Sequence, residues 1–309
     1  MSKLDNKNVS KHLGQTSEYK TTYDPSLLVR EPRQSNRTHL GIKDNDLPFH
    51  GNDTWNAYEV SGLADNGLPV TGVAKIVYPC DNKYIVESKS LKLYFNSFNM
   101  TKLGKNEIEV LEEIAKRASE DLSKLLETGV TVRVHSNAEV IMDSTLAKKE
   151  WMHSSECTPN YITLENEYPV TDVEFSVYSE NPKLLRVLED SPTEQVYYHS
   201  ALLKSNCRVT SQPDWGDVYI YMKSESTIDP ISLLQYIVSF RDECHFHEEI
   251  CEAIYKRIMD VLVPEELSVR CLYARRGGID INPERVSHKK LLHHTLSQVD
   301  VPHIKTPKQ

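Results

Sequence analysis

Three short strings recur in the same order in the two halves of this chain, and that repetition constrains its fold more than any other feature. Leu68-Pro-Val-Thr-Gly is answered by Cys207-Arg-Val-Thr-Ser, and Ser90-Leu-Lys-Leu-Tyr-Phe-Asn-Ser-Phe by Ser232-Leu-Leu-Gln-Tyr-Ile-Val-Ser-Phe. Further on, Val132-Arg133 is answered by Val269-Arg270. The first two marks stand 22 residues apart in one half and 25 in the other. Ordered matches at near-equal spacing point to tandem duplication. At 309 residues the chain is long enough for two such modules. Where the second copy has Cys207 the first has Leu68, so the thiol belongs to one copy and a shared site would draw parts from both.

Local patterns fill in each copy. Tyr58–Leu63 and Val70–Tyr78 alternate as strands do, and Lys83–Tyr94 reads as strand or strand turning into helix. Asn106 with Glu109 resembles a capping pair, followed by an apolar helix face at Ile108, Leu111, Ala115, Ala118, Leu122 and Leu125. Val130–Val134 and Ala138–Met142 suggest a hairpin. In the second half Val173, Phe175 and Val177 alternate with polar residues, and Val218–Met222 and Leu267–Leu272 read as strands. Phe246, Ile250, Ile254 and Ile258 share a helix face. The expected class is α+β, each module an antiparallel sheet with helices on one face. The divisions are a polar N-terminal arm at 1–55 with a short helix near Pro25–Val29, a first module at 56–150 and a second at 151–309.

Charge and cysteine usage exclude some functions. The net charge is −9 with no long basic run, which argues against nucleic-acid binding. No apolar run approaches the roughly 18 residues of a membrane span, and the polar N-terminus lacks a signal-peptide pattern, so a cytoplasmic protein is expected. There the six cysteines would be free thiols. Cys80, Cys157, Cys251 and Cys271 read as packing residues.

Four segments can carry chemistry. In Ser205-Asn-Cys207-Arg-Val-Thr-Ser-Gln-Pro-Asp214-Trp, a thiol precedes a turn that could return Asp214 to the sulfur as proton partner. In Glu87-Ser-Lys-Ser-Leu-Lys-Leu-Tyr, Glu87 suits an amidine-like edge such as that of guanine, and Lys89 or Lys92 suits phosphate. Phe240-Arg-Asp-Glu-Cys244-His-Phe-His247-Glu248-Glu-Ile-Cys251 offers a general acid, His247, beside Glu248; it lacks a second Cys/His pair with zinc spacing, so no metal is expected. Tyr273-Ala-Arg-Arg-Gly-Gly-Ile-Asp-Ile-Asn-Pro is a compact anion binder, and no Gly-x-Gly-x-x-Gly supports a Rossmann domain. Each has a plain alternative as buried packing, solvated edge, helix start or basic turn.

Together and in this order the segments resemble the 7-cyano-7-deazaguanine reductases of queuosine biosynthesis, over roughly residues 20–305, in their longer, two-module form. The resemblance implies tandem tunnelling-fold (T-fold) modules whose subunits associate, as a homodimer, to complete a barrel. It implies a four-electron reduction of a nitrile to a primary amine by NADPH, through a covalent thioimide. By the same resemblance Cys207 would be the nucleophile, with Asp214 and His247 moving protons. Val86, Glu87, Ser88, His247 and Glu248 would hold the substrate, and Ser88, Lys89, Arg276 and Gly277 would contact NADPH. Departures stand beside the nucleophile: Arg208 where an aliphatic residue is usual, Cys244 where Asn is expected, and acidic Asp242 and Glu243. The rivals are a T-fold zinc hydrolase of the GTP cyclohydrolase type and a non-catalytic purine-binding protein.

Overall fold

The computed structural model describes residues 19–139, 160–188, 193–302 and 308–309. In the first half, strands β1 (Arg30–Pro32), β2 (His50–Ala64), β3 (Pro69–Pro79), β4 (Tyr84–Val86), β5 (Lys102–Gly104) and β6 (Thr131–Ser136) accompany helices α1 (Gln34–His39), α2 (Ser88–Asn96) and α3 (Glu107–Leu126). Beyond them come β7 (Ile162–Thr163), β8 (Val187–Leu188), β9 (Thr193–Ser200), β10 (Lys204–Asn206), β11 (Pro213–Ser224), β12 (Thr227–Ile228), β13 (Glu266–Tyr273) and β14 (Ile279–Val286). The helices of this half are α4 (Leu164–Glu167), α5 (Pro230–Ser239), α6 (His247–Leu262) and α7 (His294–Ser297). No helix among the described residues is long and apolar enough to cross a membrane.

One large sheet runs β6-β3-β2-β14-β13-β11-β9-β7, antiparallel along its main path except where β7 meets β9. Its seam is the pairing of β14 with β2, from Ile279 opposite Ala57 to Val286 opposite His50, which joins the two halves strand to strand. Helices α2 and α3 cover the first half of one face, burying Trp55, Ile76, Leu91, Phe95, Leu111 and Ile114. Helices α5 and α6 cover the second half, burying Ile220, Leu233, Ile237, Ile254 and Val269. The fold is therefore α+β with an antiparallel sheet and its long helices on one face. The short α7 departs from that rule. It lies on the opposite, polar face, where Thr54 Oγ1 donates to Leu296 O at 2.7 Å and the Lys75 ammonium donates to the carbonyls of Thr295, Gln298 and Val301.

The correspondence between the two halves extends to hydrogen bonds. Ser90 Oγ donates to Glu87 O (2.7 Å) and Ser232 Oγ to Asp229 O (2.8 Å). Ser97 Oγ donates to Tyr94 O (2.6 Å) and Ser239 Oγ to Tyr236 O (2.7 Å). Glu87 caps α2 as Asp229 caps α5, and the small pair β1–β4 has its counterpart in β8–β12. The letter match of Leu68 with Cys207 does not extend to surroundings. Leu68 lies at the β2–β3 connection, 61% exposed, whereas Cys207 lies between β10 and β11, 7% exposed.

Several local expectations change. Ile108 is exposed; the buried face of α3 is Val110, Leu111, Ile114, Ala118, Leu122 and Leu126. Val173–Val177 forms no strand: the Glu174 carbonyl accepts from the Gln235 side chain and the Tyr178 carbonyl from Asp242 N, so this backbone is bonded to helix and loop rather than to a ladder. The expected Val130–Val134 strand is β6, while most of its proposed hairpin partner, and Cys157, lie outside the described residues. Residues 27–49, expected as part of an arm, pack on the body. Leu28 joins the first core and Leu40, Ile42 and Phe49 the second. Arg33 and Arg37 are buried in an ion cluster with Asp53, Glu252 and Arg285.

Candidate active site

Cys207 opens a tight turn after β10. Its N–H donates to Gln212 O and its carbonyl accepts from Ser211 N, so the thiol is presented by a closed loop. Burial alone would push the thiol pKa up. Hydrogen bonds from the Thr210 hydroxyl, from the Thr210 and Val209 N–H groups and from Arg276 outweigh burial, and the thiol pKa falls below its ordinary value. The sulfur faces a cleft of about 380 Å³ lined by both halves of the chain.

Asp214, at the start of β11, is nearly buried in the same cleft. Arg276 Nη1 stands 2.8 Å from Asp214 Oδ1, an ion pair not aligned for a hydrogen bond. His247 Nε2 stands 3.4 Å from Asp214 Oδ2. The imidazole lies against the Tyr273 ring, with centroids 3.9 Å apart. Among the described residues Asp214 makes no direct hydrogen bond to Cys207; the groups that lower the thiol pKa are Thr210, Val209 and Arg276.

The opposite wall comes from the first half. Glu87 Oε1 accepts from Lys89 N at 3.1 Å and Oε2 from Ser90 N at 2.7 Å. The carboxylate is thus fixed as the N-cap of α2. Glu248 sits in the first turn of α6, buried, and its Oε1 has no hydrogen-bond partner among the described residues. Burial, reinforced by Asp53, pushes its pKa up to about 8. Val86, Ser88, Phe246, Trp55 and Ile281 complete the lining.

Arg276, Gly277 and Gly278 form the β13–β14 turn. Arg276 N donates to Ile279 O, and positive φ values of 60° and 79° at the glycines give the two-residue turn that L side chains resist. A Cβ on Gly277 would lie 3.3 Å from Lys92 Nζ, and one on Gly278 only 2.6 Å from Glu59 Cδ. Beside this turn a second cleft of about 180 Å³ is walled by Lys92, Glu59, Asn96 and both glycines. Bare backbone and Lys92, itself paired with Glu59 at 3.5 Å, line this cleft, and Arg276 lines the first; donors of this kind suit the phosphates of a dinucleotide such as NADPH.

All the expected site residues from Cys207 to Glu248 line one cleft. Gly277 lines the second cleft, Arg276 joins the first to that turn, and Lys89 lies in the first turn of α2. The sequence reading missed Trp55, Val209, Thr210, His245 and Ile281. Val209 and Thr210 were inside the repeated Val-Thr string, so the repeat held a signal for them. Trp55 was masked by its place at the end of the polar segment. Cys80, Cys251 and Cys271 are buried, and burial raises the thiols of Cys80 and Cys251, whereas Cys244 is exposed.

Comparison with known proteins adds a family. A profile described as "Nitrile reductase, 7-cyano-7-deazaguanine-reductase N-term" matches residues 19–134, and one described as "QueF-like protein" matches residues 213–291. A protein of Cupriavidus metallidurans named NADPH-dependent 7-cyano-7-deazaguanine reductase is 41% identical over 89% of this chain and 92% of its own. One of the same name from Colwellia psychrerythraea is 37% identical over 89% and 91%. The crystal structure of the archaeosine synthase QueF-Like in the apo form aligns with 31% of this chain and 95% of its own at 13% identity, with a TM-score of 0.29, too partial a likeness to bear on the fold.

Proposed function

Because the chain belongs to the family of NADPH-dependent 7-cyano-7-deazaguanine reductases, we propose that it reduces the nitrile of 7-cyano-7-deazaguanine to the aminomethyl group, a step toward the queuosine base of tRNA. The observation that carries this reading is the single cleft in which the low-pKa thiol of Cys207, the Asp214–His247 pair and the carboxyl groups of Glu87 and Glu248 meet.

Each group has a task that its geometry suits. Glu87, locked by α2, accepts N–H groups of the guanine-like edge, and Glu248 supplies a second acceptor from α6. Val86 and Ser88 flank that edge. With the substrate held, the Cys207 sulfur bonds to the nitrile carbon, and the thiol proton ends on the nitrile nitrogen, giving a thioimide. Asp214 and His247 carry that proton, with Arg276 holding Asp214 in place. When bound, NADPH supplies hydride, twice for each nitrile. Ser88, Lys89, Arg276 and Gly277 would hold it along the glycine turn, with Lys92 near its phosphates. After the first reduction Cys207 leaves the carbon as thiolate, which its hydrogen bonds stabilise. Covalent attachment until then limits loss of the reactive carbon to water.

The sheet path ends at β6 and β7 among the described residues, which suits association of two copies into a homodimer. We place the enzyme in the cytoplasm, where its thiols stay reduced. Mixing the protein with 7-cyano-7-deazaguanine should give a mass adduct that Cys207→Ala abolishes, and NADPH should be oxidised at two per nitrile. Wild-type protein that gives neither adduct nor turnover would refute the reading.

A further inference from the structure

Beside the nucleophile lies a group of charges with no part in the chemistry above. Arg208 Nη2 meets Glu249 Oε2 at 2.7 Å, and the guanidinium lies 5.1 Å from the centre of the Phe246 ring. The same Glu249 oxygen accepts from Phe246 N at 3.0 Å and lies 3.1 Å from His245 Nδ1. His245 Nε2 is 3.3 Å from Glu243 Oε2. From the first half, Glu31 on β1 feels the field of both Arg208 and Glu249. His245 and Phe246 line the cleft. The backbone joins the same parts: Asn206 N donates to Glu243 O and His245 N to Asn206 O.

We propose that Arg208, Glu249 and His245 form a clamp that fixes the turn carrying Cys207 against the N-terminus of α6, and so holds the thiol in register with His247 and Glu248. The inference rests on the reduction proposed above and assigns these three as positioning residues. Residue order gives the clamp its leverage. Arg208 adjoins the nucleophile, while Glu249 adjoins Glu248 and lies two residues from His247. One ion pair therefore couples the attacking atom to the groups that hold its target. Glu249 does so while also closing the first turn of α6, which leaves its carboxylate a fixed anchor. Its partners are cations on two different segments. The groups facing His245 are Glu243 on its own loop, Glu249 on α6 and Arg208 on the nucleophile turn. The two carboxylates outweigh burial and Arg208 and lift the imidazole to about 9, so it is charged at neutral pH. A group raised in this way contributes fully below its ordinary range and loses its contribution as pH climbs through about 9.

The test is the rate of thioimide formation from 7-cyano-7-deazaguanine without NADPH, followed by absorbance and intact mass at saturating nitrile. Substrate affinity is measured separately in a Cys207→Ala background carrying the same changes. Arg208→Leu and Glu249→Gln should each slow adduct formation by about tenfold or more, as misplacement of a reacting atom does, with affinity and thermal stability essentially unchanged. Arg208→Lys should recover part of the rate. The rate advantage of wild type over His245→Gln should be constant to about pH 8 and narrow as pH passes about 9. Wild-type adduct rates in both Arg208→Leu and Glu249→Gln would overturn the clamp. So would a rate loss matched by equal loss of affinity or of folding, since that marks a merely structural pair. Absence of an adduct in wild type would instead refute the reduction itself.

Discussion

At the scale of single residues, two buried groups are displaced from their ordinary values in opposite directions. The Cys207 thiol is lowered by hydrogen bonds from its own turn, chiefly from Thr210. Thr210→Val should therefore raise the thiol pKa, which the pH dependence of iodoacetamide alkylation would show as a midpoint displaced upward; an unmoved midpoint would leave Thr210 without this role. Glu248 moves the other way, from 4.5 to about 8, through burial. The folded protein then holds this proton more tightly than the unfolded chain does, so this carboxyl lowers stability as pH rises from about 4.5 through about 8. Glu248→Gln should thus melt higher than wild type at pH 8 to 9, with the gap closing toward pH 4, while substrate affinity falls. A gap independent of pH would show that Glu248 ionises in its ordinary range. Of the residues lining the candidate cleft, Cys207, Asp214, Glu87 and Glu248 could be picked out because each stands in a distinctive string. Thr210 and His245 were not, since their effect depends on which hydrogen bonds a turn closes and which carboxylates fold around an imidazole.

Elements were legible where a long apolar period coincided with a cap, as in α3 after Asn106, or stood out by itself, as in α6. They were illegible where alternation found no neighbouring strand, as at Val173–Val177, where the Glu174 carbonyl accepts from the Gln235 side chain instead. The first half of β2 was also missed, because Asn52, Asp53 and Thr54 are polar yet lie at the seam. Glu87 shows why an element and a site need separating in experiment. It caps α2 and, on the proposed reading, grips substrate. Glu87→Ala should cost about 1 kcal/mol of stability, the usual loss for an N-cap, and should weaken substrate binding. Glu87→Ser keeps a capping oxygen but loses the two-oxygen acceptor. Its urea midpoint should stay near wild type while KM for the nitrile rises steeply. If Glu87→Ser restores KM together with stability, the carboxylate acts only through the helix.

On the scale of the whole molecule, the repeat marks two halves but not how they are fastened. The fastening is the β14–β2 ladder together with a buried ion cluster at its end. Arg285 Nη1 pairs with Asp53 Oδ1 at 2.8 Å and Nη2 with Glu252 Oε1 at 2.9 Å. Arg37 adds a 2.8 Å pair to the same Glu252 oxygen, and Arg33 holds the other oxygen of Asp53. The cluster thus ties the N-terminal segment, β2, β14 and α6 into one unit. Such contacts join segments over 200 residues apart, as with Arg37 and Glu252, and no local pattern in a sequence reveals them. Charges this deep are costly unless every partner is present, so removing one should matter more than its own bonds suggest. Arg285→Met should cost about 3 kcal/mol or more by urea unfolding, since it leaves Asp53 and Glu252 each short of a cation. The same logic predicts how the molecule unfolds. Trp55 is buried in the first core and Trp215 lies exposed on β11, so each reports on a different half. With the cluster intact, single-tryptophan variants reporting from either site should give coincident unfolding curves, whereas in Arg285→Met the two curves should separate. Coincidence in both proteins would mean that the strand ladder alone couples the modules, and separation in the wild type would mean that neither device does.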